Sequence, residues 1–137
     1  MIKKGKANMI LGGQWGSEGK GKLAGYLYHK HPEINIAVSD FTPNTGHTYI
    51  DGNGKSFVSK ILPIGACFES VDTVIIGPHA VIDVDRLMME INAFSHSGKN
   101  ATIHIHPHAT VLRPEDRAIE ARSLNHVAST MQGSSAS

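Results

Sequence analysis

Short apolar runs alternate with polar, glycine-bearing stretches along the chain, and the spacing within each run indicates what it forms. Residues 7–11 and 34–38 are compact apolar runs of strand length, and the segment between them carries Leu23, Tyr26 and Leu27 at helical spacing. A helix over about residues 18–31 is therefore expected, with those three side chains as its core-facing stripe and Pro32 as its stop. Thr48-Tyr49-Ile50 and Ser56-Phe57-Val58 flank Asp51-Gly52-Asn53-Gly54, which predicts a hairpin, because Asp-Gly and Asn-Gly supply the positive φ that tight turns need. Residues 73–76 and 101–105 read as further strands. Between them Leu87, Met88, Ile91 and Phe94 line one face of a helix, capped by Asp83 or Asp85, running to about Ser97 and stopped by Gly98. Pro114 opens a polar helix to about Asn125. Strands alternating with helices predict an α/β domain, a largely parallel sheet with flanking helices, with no internal repeat.

Composition narrows the class. The 137 residues suffice for a single core, and 13 Lys and Arg against 12 Asp and Glu leave no basic surface broad enough for nucleic acid. Any phosphate site must therefore be local. Cys67 is the lone cysteine, which excludes an intramolecular disulfide, and its apolar neighbours predict a buried thiol. No apolar run approaches a membrane span, and the run after the basic N-terminus is too short and glycine-broken for a signal peptide. A cytoplasmic protein is expected, in host cytoplasm if the source is viral.

The chemistry concentrates in Gln14-Trp15-Gly16-Ser17-Glu18-Gly19-Lys20-Gly21-Lys22, set between the first strand and the first helix. Glycines let the backbone present amide N–H groups to an anion, the helix behind adds the partial positive charge of its N-terminus, and Lys20 and Lys22 add whole charges. Gly16 to Lys22 satisfies the first seven positions of G-x-x-x-x-G-K-[ST], but Leu23 stands where a magnesium-binding hydroxyl belongs. The loop is thus a variant phosphate cradle rather than a strict Walker A. His104, His106 and His108 alternate and could share a strand face, yet no further zinc ligands lie nearby, so a structural or surface role is expected. The closing stretch, residues 129–137, reads on composition as a tail or as a second hydroxyl-rich phosphate contact.

Three motifs together resemble the adenylosuccinate synthetase family. The first is the Gln14 to Lys22 loop, in which the family has Asp at the position of Ser17. Asn44-Thr45-Gly46-His47-Thr48 is similar to the family's N-x-G-H-T motif, and Ser129-Thr130 with Gly133 to its monophosphate loop. The resemblance covers nearly all of the chain but only the N-terminal part of a family member, so residues 1–137 are expected to be the N-terminal portion of one P-loop-like ligase domain. It implies a two-step ligation in which a purine O6 is phosphorylated and the amino group of L-aspartate then displaces the phosphate. It places Gly16, Glu18, Gly19, Lys20, Gly21 and Lys22 at the donor triphosphate. Ser17, Asn44, Thr45, Ser129, Thr130 and Gln132 fall at the monophosphate, and Ser17 and the Gly46 carbonyl at Mg²⁺. Lys20, His47 and Ser17 are the catalytic positions it implies, in a homodimer.

The departures bear on substrate. Gly25 stands where the family commonly has Asp, and Met131-Gln132 where it has Gly-Arg. Ser17 matters most: a hydroxyl is a poor general base and a weak Mg²⁺ ligand, and losing a catalytic base typically costs about a hundredfold to ten-thousandfold. It is also smaller than Asp, and since the resemblance places that Asp against the N1/C2 edge of the purine, it implies space there for the amino group that guanine carries at C2. That change resembles the phage branch of the family, the 2-aminoadenylosuccinate synthetases, which implies dGMP, ATP (or dATP) and aspartate as substrates. A conventional enzyme acting on IMP with GTP, with its Asp altered, and a non-catalytic nucleotide-binding module are the alternatives. How the N1 proton leaves without the Asp stays open between solvent, a purine with a more acidic N1, and Glu18.

Overall fold

A computed structural model describes residues 2–3, 5–14, 16, 18–43, 46–95, 101–116 and 118. Helix α1 spans Lys20–Lys30, followed by strands β1 (Ile36–Ser39), β2 (His47–Ile50) and β3 (Ser56–Ser59). A 3-10 turn at Ile64–Cys67 precedes β4 (Thr73–Ile76) and β5 (Val81–Ile82). Helix α2 (Val84–Ser95), β6 (Thr102–Ile105) and β7 (Thr110–Val111) follow, and the backbone turns helical again at 114–116.

The strands β1, β4 and β6 form a parallel sheet in the order β1-β4-β6, with Ile36 opposite Thr73 and Thr73 opposite Thr102. Both connections within this sheet carry helical structure, as parallel pairing requires. The expected hairpin is present, with Tyr49 opposite Phe57 and Asp51 Oδ1 accepting from Asn53 N and Lys55 N across its turn. Ala37, Val74 and Ile76 of the sheet, Phe57 of β3, Leu62, Val71, and Leu87 and Phe94 of α2 make one buried cluster. Cys67 is buried in it, as its neighbours predicted; its Sγ donates to Ile64 O at 3.0 Å, and burial pushes the thiol up to about 12.

Four expectations are corrected. Residues 7–11 form no strand: Met9 is 80% and Leu11 77% exposed, and no described strand pairs with them. An apolar run cannot be a strand without a neighbour to accept its backbone hydrogen bonds. Helix α1 turns a different face inward. Gly21 and Gly25 are buried, and Ala24 and Tyr28 pack on the core, while Leu23 and Tyr26 are about half exposed. Small residues let a helix lie close to its neighbour, and that gain outweighs burying the larger stripe. Met88 of α2 is likewise exposed, while Glu90 is buried in its place. The strand from 101 stops at Ile105, so His104, His106 and His108 do not alternate along one strand. The 3-10 turn, β5 and β7 carry no period long enough to read. The ends of the two later helices, near Ser97 and Asn125, lie outside the described residues.

Candidate active site

The loop before α1 is built by two left-handed glycines, Gly16 (φ 114°) and Gly19 (φ 71°), a conformation that disfavours other residues. Gly19 is the N-cap of α1 and supplies no side chain to cap it, so the first amides of the helix keep their donors. The first turn holds Lys20 and Lys22 and no acidic residue. Cations there oppose the helix dipole, which favours negative charge at an N-terminus. Uncapped amides with two lysines make an anion site whose chemistry suits phosphate.

Lys20 Nζ is paired with Glu18 Oε2, and Glu18 Oε1 accepts from Gln14 N at 2.7 Å. The Lys20 hydrogen bond, with the Gln14 amide second, holds the Glu18 carboxyl below its ordinary value. Glu18 is thus a fixed anion and a poor proton acceptor in this state.

His47 opens β2 with its ring 4.6 Å from that of Phe41. Its Nε2 is sealed from solvent and has no hydrogen-bond partner among the described residues. Burial first, and the Lys20 ammonium second, push the imidazole below its ordinary value, against an opposing pull from Glu90. His47 is therefore neutral at neutral pH, with a buried nitrogen ready for a partner. The loop and this histidine are adjacent, because α1 packs on β2 through Gly21: a Cβ there would lie 2.8 Å from Thr48 N and 3.2 Å from the His47 carbonyl carbon.

Gly16, Glu18, Gly19, Lys20, Gly21 and Lys22 thus share one loop and helix end, with Gly46 and His47 beside them. Ser17, Asn44, Thr45, Ser129, Thr130 and Gln132 lie outside the described residues. The histidine cluster contributes nothing here: His108 N donates to His106 Nδ1 at 3.1 Å in a local turn, and among the described residues no three metal-binding side chains converge.

Two supports are not legible as motifs. Glu90, buried on α2, accepts from Lys60 N (2.7 Å), Ile61 N (3.1 Å), Leu62 N (3.0 Å) and Arg86 Nε (3.0 Å). The i,i+4 spacing of Arg86 and Glu90 is the one sign of it in the sequence. Asp40, after β1, accepts from His79 N at 2.7 Å and pairs with His79 Nδ1 at 2.8 Å beyond the end of β4. Desolvation opposes the charge on Asp40, yet the His79 hydrogen bonds prevail and hold its carboxyl low. The pair ties together two strand ends on the carboxyl side of the sheet, the edge where α/β folds place ligands.

The family model of adenylosuccinate synthetase matches residues 9–136. The N6-succino-2-amino-2'-deoxyadenylate synthase of Vibrio phage phiVC8 is 36% identical over 131 residues, covering 94% of this chain and 38% of the relative. Among solved structures, the cyanophage S-2L succinoaminodeoxyadenylate synthetase bound to dGMP, and to dATP as an energy donor, superimposes with a TM-score of 0.76 at 36% identity. That match covers 88% of this chain and 33% of the other. Fully ligated adenylosuccinate synthetase from Plasmodium falciparum has the same TM-score at 28% identity, covering 92% and 30%. The chain therefore spans about a third of the length of these relatives. With the glycine-lysine loop set against a half-buried histidine and the family model matching this chain almost end to end, the chain belongs to the adenylosuccinate synthetase family.

Proposed function

We propose that these residues form the N-terminal part of an ATP-dependent ligase that joins L-aspartate to dGMP, giving 2-amino-2'-deoxyadenylosuccinate. The observation that carries the proposal is the contact between the phosphate loop and a neutral, half-buried histidine with a sealed Nε2 across Gly21. The glycine loop and α1 amides hold the donor phosphates, and Lys20, released from Glu18, neutralises the phosphoryl group in transit. His47 Nε2 hydrogen-bonds the oxygen atom of the purine as it accepts the phosphoryl group. A neutral imidazole can do this without carrying a charge into the site. Aspartate nitrogen then attacks purine C6, and the phosphate leaves with the oxygen.

The family resemblance implies Mg²⁺. It is usually held by one or two carboxylates, waters and the substrate's phosphates, and with a hydroxyl and a carbonyl in place of carboxylates the phosphates would carry most of its coordination here. The carbonyl of exposed Gly46 and the Ser17 hydroxyl would hold it. When bound, it neutralises the donor phosphates.

Two points support dGMP as acceptor: Ser17 stands where the family has Asp, a position that the resemblance places at the base, and a 36% identical phage enzyme is bound to dGMP and dATP in its solved structure. Asn44, Thr45, Ser129, Thr130 and Gln132 complete the monophosphate site, and the protein works as a homodimer. The test is to assay the protein in its full natural length with aspartate, offering dGMP or IMP with ATP or GTP. A preference for dGMP of at least about tenfold, reduced by Ser17→Asp, is expected. Turnover of IMP alone overturns the substrate assignment. Calorimetric binding of dGMP and ATP·Mg²⁺ without product would instead identify a binding module.

A further inference from the structure

Helix α1 carries the phosphate loop at its N-terminus, and β2 carries His47 at its first residue. The two elements touch along one short seam. At Gly21 the helix backbone lies against the backbone of His47 and Thr48, where a Cβ would come within 2.8 Å of Thr48 N and 2.9 Å of Thr48 O. One turn on, at Gly25, the place of a side chain is taken by the ring of Tyr49, whose Cγ would stand 2.6 Å from a Cβ. The Tyr49 ring is held from behind by Phe68, at 5.2 Å between centroids, and by Phe57, at 6.3 Å. It is therefore wedged between helix and core rather than free to swing away, and interiors packed this closely do not absorb an extra methyl without a shift.

We propose that Tyr49, seated in the space left by Gly25, is a positioning residue that sets the distance between the phosphate loop and His47. Nothing about the ring itself is reactive: burial pushes its phenol above the ordinary value, so it stays protonated. Its effect passes through the helix. A side chain at position 25 would lever α1 away from β2, carrying Lys20 and the loop with it, while His47 stays with the hairpin. Among the described residues the charged groups that reach His47 are Lys20 from α1 and Glu90 from α2. Moving α1 changes the first and leaves the second. Opening the seam also exposes the imidazole, whose Nε2 is now sealed from water.

This proposal rests on the catalytic reading of His47 only for its kinetic consequence; the geometry is testable without substrate. The experiment follows, at one fixed pH, the NOEs between the backbone protons of Gly21 and Thr48 across the seam, together with kcat and KM, in the full-length protein. Gly25→Ala should weaken those NOEs, while Gly25→Ala with Tyr49→Ala, which restores room for the methyl, should bring them back toward the parent intensity. In the full-length protein the single substitution should lower kcat about tenfold or more with KM for the purine monophosphate little changed, since a small misplacement of reacting groups is costly. A folded Gly25→Ala protein with unchanged NOEs overturns the proposal, as does a double variant no closer to the parent than the single one. Weakened NOEs with unchanged kcat keep the seam and instead remove His47 from catalysis. Should Gly25→Ala not fold, Tyr49→Ala carries the test: without its wedge the spacing of Gly21 and Thr48 must change, and NOEs held at the parent intensity overturn the proposal.

Discussion

His47 is the residue in which the site's physics is most concentrated. Its imidazole is pushed below its ordinary value, first by burial and then by Lys20, so the unfolded chain binds a proton that the folded chain refuses. The sign follows from linkage: stability is complete above the unfolded value of about 6.5 and falls as pH drops below it toward the folded value. The carboxyls of Glu18 and Asp40 are lowered too, but their contributions are lost only in more acid solution, below the usual carboxylate range. Melting temperature should therefore decline from about pH 7.5 to 5.5, with a shallower slope in His47→Gln. An equal slope in the two proteins would show that His47 is as readily protonated folded as unfolded.

At the scale of elements, the hairpin bearing His47 is held from two sides. Helix α1 closes on it through Gly21 and Gly25, and α2 reaches the chain leaving β3 through Glu90. One carboxylate there accepts three consecutive backbone amides, which the departing strand can no longer pair. Glu90→Ala strands those donors in a buried place and leaves Arg86 without its partner, a loss of about 3 kcal/mol or more. Glu90→Gln keeps one acceptor oxygen and should cost less. Urea denaturation of the three proteins, compared at equal m-values, measures the difference. If Glu90→Ala unfolds at the parent midpoint, the 60–62 segment owes its conformation to something else.

Across the molecule, the parallel sheet is covered on one face. Ala37, Val74 and Ile76 are wholly buried under the hairpin, the 3-10 turn and the helices, while Ile36 and Val38 on the opposite face of β1 are 47% and 59% exposed. Val74→Ala should accordingly cost about 2 kcal/mol, whereas Val38→Ala should stay within about 0.5 kcal/mol in this chain. Comparable losses in thermal or urea unfolding would show that both faces are buried in solution. The strands β1, β4 and β6, the hairpin and α2 were legible from the sequence because each is a local pattern: a short apolar run, an Asp-Gly turn, a cap followed by helical spacing. The phosphate loop was legible for the same reason, since glycines, lysines and the helix behind them are neighbours in the chain. Residues 7–11 were misread because a strand exists only where another backbone pairs with it. The buried face of α1 was misread because glycine carries no hydrophobic signal, although it permits the closest approach. The sequence by itself thus determined the family and the chemical groups available: loop, lysines, histidine, and a serine in place of a carboxylate. Only the tertiary structure decided that Gly21 and Gly25 bring the loop against His47, that burial keeps this histidine neutral, and that Glu18 holds Lys20. Those outcomes depend on distances between residues far apart in the chain, and packing sets such distances.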